Sequence, residues 1–292
     1  MTIFLGIVIS MTTFTLTGFF RRYAIKKSIL DLPNERSLHA TPTPRGGGII
    51  FVFVFYVFLF CLFFLHCITR DLFLSLLGAL PIAIIGYCDD LYSLSMHWRL
   101  LVHCLSATWG IAWLSFSSVA DMFFPIFLTL WFVNLYNFMD GIDGLAASEA
   151  VFVAIAAGIV LLPINTPVSM ICFGLGFSVL GFLFWNWQPA KIFMGDIGSG
   201  FLGYCFAILM WSTTSAHRLP ISFWFILLGV FLVDATYTLL RRMIQRKKWY
   251  SAHREHIYQK MVQAGLQHYQ MNLIVILINL VILLPLAVYS LK

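Results

Sequence analysis

The sequence predicts an all-α polytopic membrane protein that forms one integral-membrane domain over residues 1–292. Three observations support this class: 61 % of the residues are hydrophobic, only 10 % are charged, and the mean hydropathy is +0.91. A soluble domain contains about 25 % charged residues, so this composition excludes a single water-soluble core. The apolar residues also fall into separate runs that are long enough to cross a bilayer.

The apolar runs predict about ten transmembrane helices, because a span needs about 20 predominantly apolar residues. The sixth and eighth runs are the shortest. The ten runs are 2–20, 49–68, 72–88, 100–117, 122–138, 149–162, 168–185, 200–214, 221–240 and 271–291.

The basic residues predict that both termini lie outside. Arg21 and Arg22 follow the first run without a small-residue cleavage site, so we expect a retained span and not a cleaved signal peptide. Fifteen of the eighteen Lys and Arg residues then fall in the connections assigned to the cytoplasm, as the positive-inside rule requires. These connections are 21–48, 89–99, 139–148, 186–199 and 241–270. The net charge of +6 therefore reflects topology, and no nucleic-acid partner is expected.

The outer connections are too short to build a catalytic domain, so any chemistry is expected at the cytoplasmic face. Most acidic residues lie at that face too, and Asp234 alone is expected to approach the interior of a span. The six cysteines lie in or beside apolar runs without a C-x-x-C pair, which indicates small hydrophobic residues and not a metal or disulfide framework.

The run from Asn134 to Leu145 is the most informative stretch, because four polar side chains follow an uncharged apolar run. Asn134, Asn137, Asp140 and Asp143 are spaced three residues apart, which predicts neighbouring turns of one helix face. Gly141 and Gly144 would let a ligand approach the main chain closely. The simpler interpretation is a polar helix cap and a turn, but four such groups in a membrane protein favour binding.

Two further acidic motifs lie at predicted helix ends. Asp89 and Asp90 are adjacent carboxylates that must stay hydrated, pair with cations or hold a metal; a solvated loop start is the alternative. Asp196 lies between Gly195 and Gly198, just before a span. Hard Mg2+ takes one or two carboxylates together with substrate phosphates, which suits this turn. Packing of helices through small residues is the alternative, and the pattern is not a nucleotide-binding P-loop.

A basic loop carries His253-Arg254-Glu255-His256. The two histidines would be only half of a zinc site, so a positive clamp for phosphates fits better, and lipid head groups are the alternative ligand. Gly46-Gly47-Gly48 ends the first cytoplasmic loop and by itself indicates only a flexible turn.

Together these motifs predict metal-assisted transfer between phosphates, with one substrate that can be a lipid. An ion-coupled transporter is the alternative class, since intramembrane acids often mark ion paths. It would place acids at mid-span in interrupted helices, whereas here nearly all are expected at one face. A non-enzymatic scaffold would not need this polar set.

The ordered series TPxPRGGG, DD, NxxNxxDGxDGLA, NWxPAxIFMGDxGSGFLG and HREH resembles the polyprenyl-phosphate N-acetylhexosamine-1-phosphate transferases, the MraY/WecA-like superfamily, over about residues 31–260. It is most similar to the O-antigen-initiating branch, which carries HREH. The resemblance implies transfer of HexNAc-1-phosphate from a UDP-sugar, either GlcNAc or a 6-deoxy HexNAc, to undecaprenyl phosphate. It places the protein in the bacterial inner membrane, in contact with membrane lipid, and leaves a homodimer open.

The resemblance also implies a role for each matching residue. Asp196 would bind Mg2+, with Mn2+ as an alternative. Asp89, Asp90, Asp140 and His253 would be catalytic, Asp89 by deprotonating or positioning the lipid phosphate. The substrate-binding residues would be Asn134, Asn137, Asp143, Asn186, Phe193, Arg254 and His256, with Phe193 on uracil and the HREH residues on the sugar phosphate.

The sequence departs from the family pattern at two places. Ser93 stands where members often carry a charged partner of the acidic pair, and Arg99 could replace that partner. The first loop lacks a lysine that some members use on uracil, and His39, Arg36 or Arg45 could stand in its place.

Overall fold

The computed structural model describes residues 2–33, 41–114, 116, 118–247 and 253–292. About 75 % of these residues are helical. The α-helices are α1 (Thr2–Lys26), α2 (Gly48–Phe64), α3 (Arg70–Leu77), α4 (Ala79–Tyr92), α5 (Met96–Ala112), α6 (Phe123–Phe138), α7 (Leu145–Leu161), α8 (Thr166–Asn186), α9 (Asp196–Thr214), α10 (Ile221–Leu227), α11 (Gly229–Ile244), α12 (Ile257–Gln263), α13 (His268–Ile278) and α14 (Leu284–Tyr289). A 3-10 turn covers Ala120–Met122, and a π-helical turn at Asn279–Leu283 joins α13 to α14.

Two short strands, β1 (Leu30–Asp31) and β2 (Thr43–Pro44), pair antiparallel in the first connection. Leu30 lies opposite Pro44 and Asp31 lies opposite Thr43. This ladder brings the chain back to the start of α2.

The structure confirms a multi-pass, all-α membrane protein. Five described helical stretches are long and apolar enough to cross a membrane: Ile3–Lys26, Arg70–Tyr92, Thr166–Asn186, Asp196–Thr214 and His268–Tyr289. A sixth forms if α10 and α11, bent by 81° at their junction, count as one broken span. Each of the ten predicted runs overlaps a helix, but α2 and α5 to α7 have only 16 or 17 residues. The number of spans, the side of the termini and the cytoplasmic loops therefore stay predictions.

Helix α9 lies at the centre of the bundle. It packs against α2, α4, α6 and α10, and its apolar side chains are nearly all buried. Apolar side chains on the outer helices are exposed instead, among them Phe4 on α1 and Leu277 on α13. These side chains face lipid in a protein of this class. Asp196, at the polar start of α9, keeps 29 % of its side-chain surface exposed.

Two glycines let other elements approach the start of α9 closely. A Cβ atom on Gly86 of α4 would lie 2.6 Å from the carbonyl carbon of Asp196. A Cβ atom on Gly48 of α2 would lie 2.7 Å from the Cα atom of Gly198. The small-residue packing considered from sequence is thus present, and it holds Asp196 against two helices.

The structure corrects the predicted helical arrangement of the Asn/Asp run. Helix α6 ends at Phe138, so only Asn134 and Asn137 share its face. Asp140 and Asp143 lie in the turn 139–144, where Gly144 adopts a φ of 77°. Gly144 has no Cβ atom to oppose this conformation, so the chain can leave the helix and start α7 in a new direction.

The expectation that Asp234 alone approaches the interior is wrong, because Glu149 lies inside α7 and is fully buried. Asn279, at the π-helical turn, donates a hydrogen bond to Glu149 Oε2 at 2.6 Å. The pair joins α7 to the last helical stretch, and it replaces the water that a polar group lacks inside a membrane.

Candidate active site

The acidic pair and Asp196 meet where the end of α4 contacts the start of α9. The backbone N–H of Asp196 donates to Asp90 Oδ1 at 3.3 Å. The other oxygen, Asp90 Oδ2, is buried and has no hydrogen-bond partner within the described ranges. A buried carboxylate oxygen without a donor favours a ligand that supplies positive charge.

Arg99 at the first turns of α5 joins two of these carboxylates. One guanidinium nitrogen lies 2.6 Å from Asp89 Oδ2, and the other lies 2.9 Å from Asp196 Oδ2. The backbone N–H of Leu94 donates to Asp89 Oδ1 at 2.6 Å. The structure therefore confirms that Arg99 pairs with the acidic pair in a chain that carries Ser93 where a charged partner is usual.

A small cavity opens beside these charges, between α4, α5, α6 and α9. Its polar lining consists of Arg99, His103, Asn134, Asn137 and Asp196. Asn137 donates to Ser199 Oγ at 3.2 Å, and Asn134 donates to the carbonyl oxygen of Leu130 in its own helix. Sequence reasoning missed His103; the signal was its spacing of four from Arg99, which places both residues on one face of α5.

Asp140 lies in the turn that follows α6 and belongs electrostatically to the same group. Burial raises the pKa of this carboxyl well above its usual range, and the negative charges of Asp196 and Asp90 raise it further. A cation bound among these acids would reverse this effect, since it would favour the ionised form.

Asp143 and Asn186 hold two loops together. The backbone N–H of Ala190 donates to Asp143 Oδ2 at 2.9 Å. Asn186 accepts a hydrogen bond from the N–H of Gly144 at 3.2 Å and donates to the carbonyl oxygen of Ile192 at 3.1 Å. The Asp143 side chain thus binds backbone of the segment 187–195 from within the turn, while Asn186 binds backbone of both the turn 139–144 and that segment. Their contact with a nucleotide stays a prediction.

Phe193 lies in a backbone ladder between the first connection and the segment before α9. Its N–H donates to the carbonyl oxygen of Pro44 at 2.8 Å, and its carbonyl accepts from Gly47 at 2.9 Å. The glycine run, which from sequence indicated only a turn, therefore supports this segment. Of the first-loop candidates, Arg36 and His39 lie outside the described residues, whereas the charge of Arg45 acts on Asp90.

The HREH loop is anchored by Asp234, a residue whose role the sequence did not reveal. Asp234 Oδ1 lies 3.1 Å from His256 Nδ1 and accepts from the N–H of Ile257 at 2.9 Å. Asp234 Oδ2 accepts from the N–H of Tyr258 at 3.0 Å, and Thr238 donates to Oδ1 at 3.2 Å. The buried acid on α11 therefore fixes the start of α12 and holds Nδ1 of His256, which leaves Nε2 as the other nitrogen for a ligand.

The loop contacts the turn that carries Asp140. The hydroxyl of Tyr258 donates to the carbonyl oxygen of Phe138 at 3.0 Å. The ring of His256 stacks on that of His253 at 5.0 Å and lies 6.0 Å from the ring of Phe138. The structure thus brings the HREH loop to the end of α6, as the motif set required.

The remaining charges of the loop are organised by Glu255. Arg242 and Lys247 both pair with its carboxylate. Burial and, to a smaller extent, the positive charge of Arg242 lower the pKa of His253 to about 4. His253 is therefore a neutral imidazole near pH 7. Arg254 accepts a hydrogen bond from Gln263 at its backbone carbonyl.

The donor set fits a hard divalent cation. Carboxylate and amide oxygens of Asp90, Asp196 and Asn137 are the ligand type that Mg2+ takes, and two carboxylates are enough when phosphates and water complete the shell. Among the described residues no group of three or more His, Cys, Asp or Glu side chains is arranged to hold a metal without such help. The orphaned Asp90 Oδ2 is the observation that favours a cation here.

Fold and site together define a multi-pass membrane protein with an acidic centre, an arginine bridge and a histidine-containing loop at the ends of its helices. The profile described as "Glycosyl transferase family 4" matches residues 72–214. A "Probable undecaprenyl-phosphate N-acetylglucosaminyl 1-phosphate transferase" of Bacillus subtilis is 32 % identical over 94 % of this chain and 81 % of its own length.

Two further relatives carry names of the same kind of transferase. An "Undecaprenyl-phosphate alpha-N-acetylglucosaminyl 1-phosphate transferase" of Escherichia coli K12 is 30 % identical over 86 % of this chain and 74 % of its own length. A "Decaprenyl-phosphate N-acetylglucosaminephosphotransferase" of Mycobacterium leprae is 28 % identical over 93 % and 79 %. The chain belongs to glycosyl transferase family 4, in the MraY/WecA-like superfamily of polyprenyl-phosphate N-acetylhexosamine-1-phosphate transferases.

Proposed function

We propose that this protein transfers HexNAc-1-phosphate from a UDP-sugar to undecaprenyl phosphate. A phosphate oxygen of the lipid attacks the β-phosphorus of the UDP-sugar, the bond to the bridging oxygen breaks, and UMP leaves. The products are undecaprenyl-diphospho-HexNAc and UMP. One observation supports this proposal most strongly: three carboxylates and one arginine come together at the ends of apolar helices. Arg99 pairs with Asp89 and Asp196, and the N–H of Asp196 donates to Asp90.

Mg2+ is proposed as the metal, with Mn2+ as an alternative. Asp196 would hold it with help from Asp90, and the ion would neutralise the diphosphate and polarise its oxygens. Asp89 would position or deprotonate the lipid phosphate. Its two oxygens accept from Arg99 and from the N–H of Leu94, so this role requires the lipid phosphate to displace one of these donors.

The UDP-sugar is proposed to lie between the turn 139–144 and the HREH loop. Asn137 and Asp140 would face the diphosphate and ribose, and Phe193 would stack on uracil. Asp143 and Asn186 hold the two loops that form this cleft. Both oxygens of Asp143 and both polar atoms of Asn186 already have partners in the protein, so these side chains would shape the cleft for the nucleoside.

The HREH loop would hold the sugar phosphate. Arg254 carries a permanent positive charge, while His253 is neutral near pH 7 and can exchange hydrogen bonds with a hydroxyl or a phosphate oxygen. His256 presents Nε2 because Nδ1 is held by Asp234.

The side of the membrane and the biological setting are parts of the same proposal. The site would face the cytoplasm of the bacterial inner membrane, where UDP-sugars are made, and the product would start O-antigen or another cell-surface polysaccharide. The sugar is proposed to be GlcNAc or a 6-deoxy HexNAc. The former is supported by the names of the relatives, and the latter by the HREH motif.

Membranes that contain the protein test the reaction with radiolabelled UDP-HexNAc, undecaprenyl phosphate and Mg2+. Labelled lipid should form, its formation should stop on addition of EDTA, and it should resume with excess Mg2+. Membranes with the Asp196→Asn variant at equal expression are the matched control. If folded protein yields no EDTA-sensitive lipid from any UDP-HexNAc in a panel, the proposal is wrong; the panel also identifies the sugar.

The transporter alternative gains no support. Among the described residues, Glu149 and Asp234 are the acids that lie more than one turn from either end of an α-helix. Glu149 Oε2 accepts from Asn279, and Asp234 binds the HREH loop. The relatives are transferases.

A further inference from the structure

Arg99 is placed where the proposed metal would act. Its two terminal nitrogens lie 2.6 Å from Asp89 Oδ2 and 2.9 Å from Asp196 Oδ2, so one guanidinium bridges two carboxylates that come from different helices. This bridge supplies the positive charge that these acids need in the absence of a divalent cation.

With a metal bound, the carboxylate of Asp196 would have two cationic partners. A guanidinium that hydrogen-bonds Oδ2 and a divalent ion bound at the same carboxylate repel each other strongly at these distances. Simultaneous binding in this geometry is therefore unfavourable, and the metal must weaken or break the contact between Arg99 and Asp196.

The side chain of Arg99 has space to change its conformation. Its side chain is partly exposed, at 29 % of its surface, and it lines the cavity that also contains His103 and Asn134. Arginine binds phosphate by paired N–H donors as readily as it binds carboxylate. A phosphate that approaches the exposed side of Arg99 would offer it a new anionic partner.

We propose that Arg99 is a resident counter-cation that exchanges with the metal. Without substrate it neutralises Asp89 and Asp196 and keeps metal affinity low; when a substrate phosphate arrives, Arg99 transfers to the phosphate and Asp196 becomes available to the divalent ion. Arg99 is therefore a positioning residue that couples metal binding to substrate binding. This inference depends on the metal role proposed above for Asp196.

Binding of Mn2+ to the purified, substrate-free protein tests the exchange, with electron paramagnetic resonance of the unbound ion as readout. Arg99→Gln should bind Mn2+ at least about tenfold more tightly than the wild type, because the competing charge is gone. Arg99→Ala serves as a second variant if Arg99→Gln does not fold, and Arg99→Lys should stay within about threefold of the wild type because its charge remains.

Arg21→Gln is the matched control. Arg21 donates to the carbonyl oxygen of Lys191 at 3.1 Å, outside the carboxylate group, so its removal changes the net charge equally without opening the site. Its Mn2+ affinity should equal that of the wild type.

The outcomes separate the two proposals. If the wild type binds Mn2+ and neither Arg99→Gln nor Arg99→Ala binds it more tightly, the exchange is wrong while the metal role stands. If Arg21→Gln gains as much as Arg99→Gln, the effect is one of net charge and the exchange is again wrong. If no form binds Mn2+ at any concentration tested, the metal role of Asp196 fails and the exchange fails with it.

Discussion

Replacement of Asp234 by alanine should release the HREH loop and slow the reaction without unfolding the bundle. The carboxylate is buried on α11 and accepts hydrogen bonds from Thr238, from the ring of His256 and from the N–H groups of Ile257 and Tyr258. Among the described residues no other side chain bonds these two N–H groups, so no other residue can replace Asp234 as their acceptor.

The free-energy cost of the Asp234→Ala substitution follows from the buried groups that lose their hydrogen-bond partner. A buried donor left without an acceptor costs about 1–3 kcal/mol, and the four contacts share one side chain, so their costs do not simply add. Removal of one partner from a buried polar pair typically costs about 3–5 kcal/mol. If the docked loop is needed for turnover, a cost of about 3 kcal/mol lowers kcat/KM about a hundredfold.

Asp234→Asn keeps one acceptor oxygen for the His256 side of the contact and loses the second, which faces Tyr258. We expect kcat/KM of this variant to fall about tenfold, because one buried hydrogen bond is lost. Both variants should keep the helical content and the thermal stability of the spans.

The assay combines kinetics with hydrogen exchange. Labelled lipid product gives kcat and KM, and exchange of peptides that cover residues 253–263 reports on the loop. Asp121→Ala is the matched control, because Asp121 is an exposed acid whose carboxylate accepts from the hydroxyl of Ser118 at 2.9 Å. Asp234→Ala with activity within about threefold of the wild type and unchanged loop exchange would refute the reasoning.

Three further predictions concern other parts of the site. Asp196→Asn should lower turnover at least about a hundredfold at unchanged expression, measured by lipid labelling; near-normal activity would remove its metal role. His253→Ala should lower activity more than Lys247→Ala, and by the same factor from about pH 6 to 8, because a pKa of about 4 keeps His253 neutral throughout; a factor that changes across this range would contradict this. Gly48→Ala should destabilise the protein by about 1–3 kcal/mol in thermal unfolding, since the new Cβ would lie 2.8 Å from the carbonyl oxygen of Met194. Gly229→Ala is its control, because the nearest atom is the flexible end of a leucine at 3.2 Å, and equal effects would argue against backbone crowding at Gly48.

The low pKa of His253 also has a consequence for stability. The folded state holds this imidazole neutral, whereas the unfolded chain protonates it near its ordinary value of 6.5. The neutral His253 side chain therefore makes its full contribution to the free energy of unfolding above about pH 6.5. This contribution is lost as the pH falls toward about 4, because the unfolded chain binds the proton first. Only a modest effect is expected, because the side chain is partly exposed to solvent.

The apolar runs, the class of the protein and the family could be predicted from the sequence, because bilayer thickness translates directly into run length. The order of the motifs was equally informative, and the chain indeed belongs to the family they indicated. The association of Arg99 with the acidic pair was also accessible, since few other charges lie nearby in the chain.

The helical arrangement of the Asn/Asp run was beyond this reasoning. A spacing of three fits a helix face, but the chain leaves the helix after Phe138 because Gly144 and the packing of Tyr258 against Gly141 favour a turn. Glu149 was overlooked because the residues around it in the sequence do not indicate its partner. That partner, Asn279, is distant in the chain but adjacent in the bundle.

The sequence by itself determined which residues can carry chemistry and that they flank apolar helices, since residue type and hydrophobic run length are local properties. Only the tertiary structure decided which carboxylate shares Arg99, which acid holds the HREH loop, and which side chains tie loops together instead of standing open. Those choices depend on helix packing across long sequence separations, where close contacts at Gly86 and Gly48 set the distances between charges.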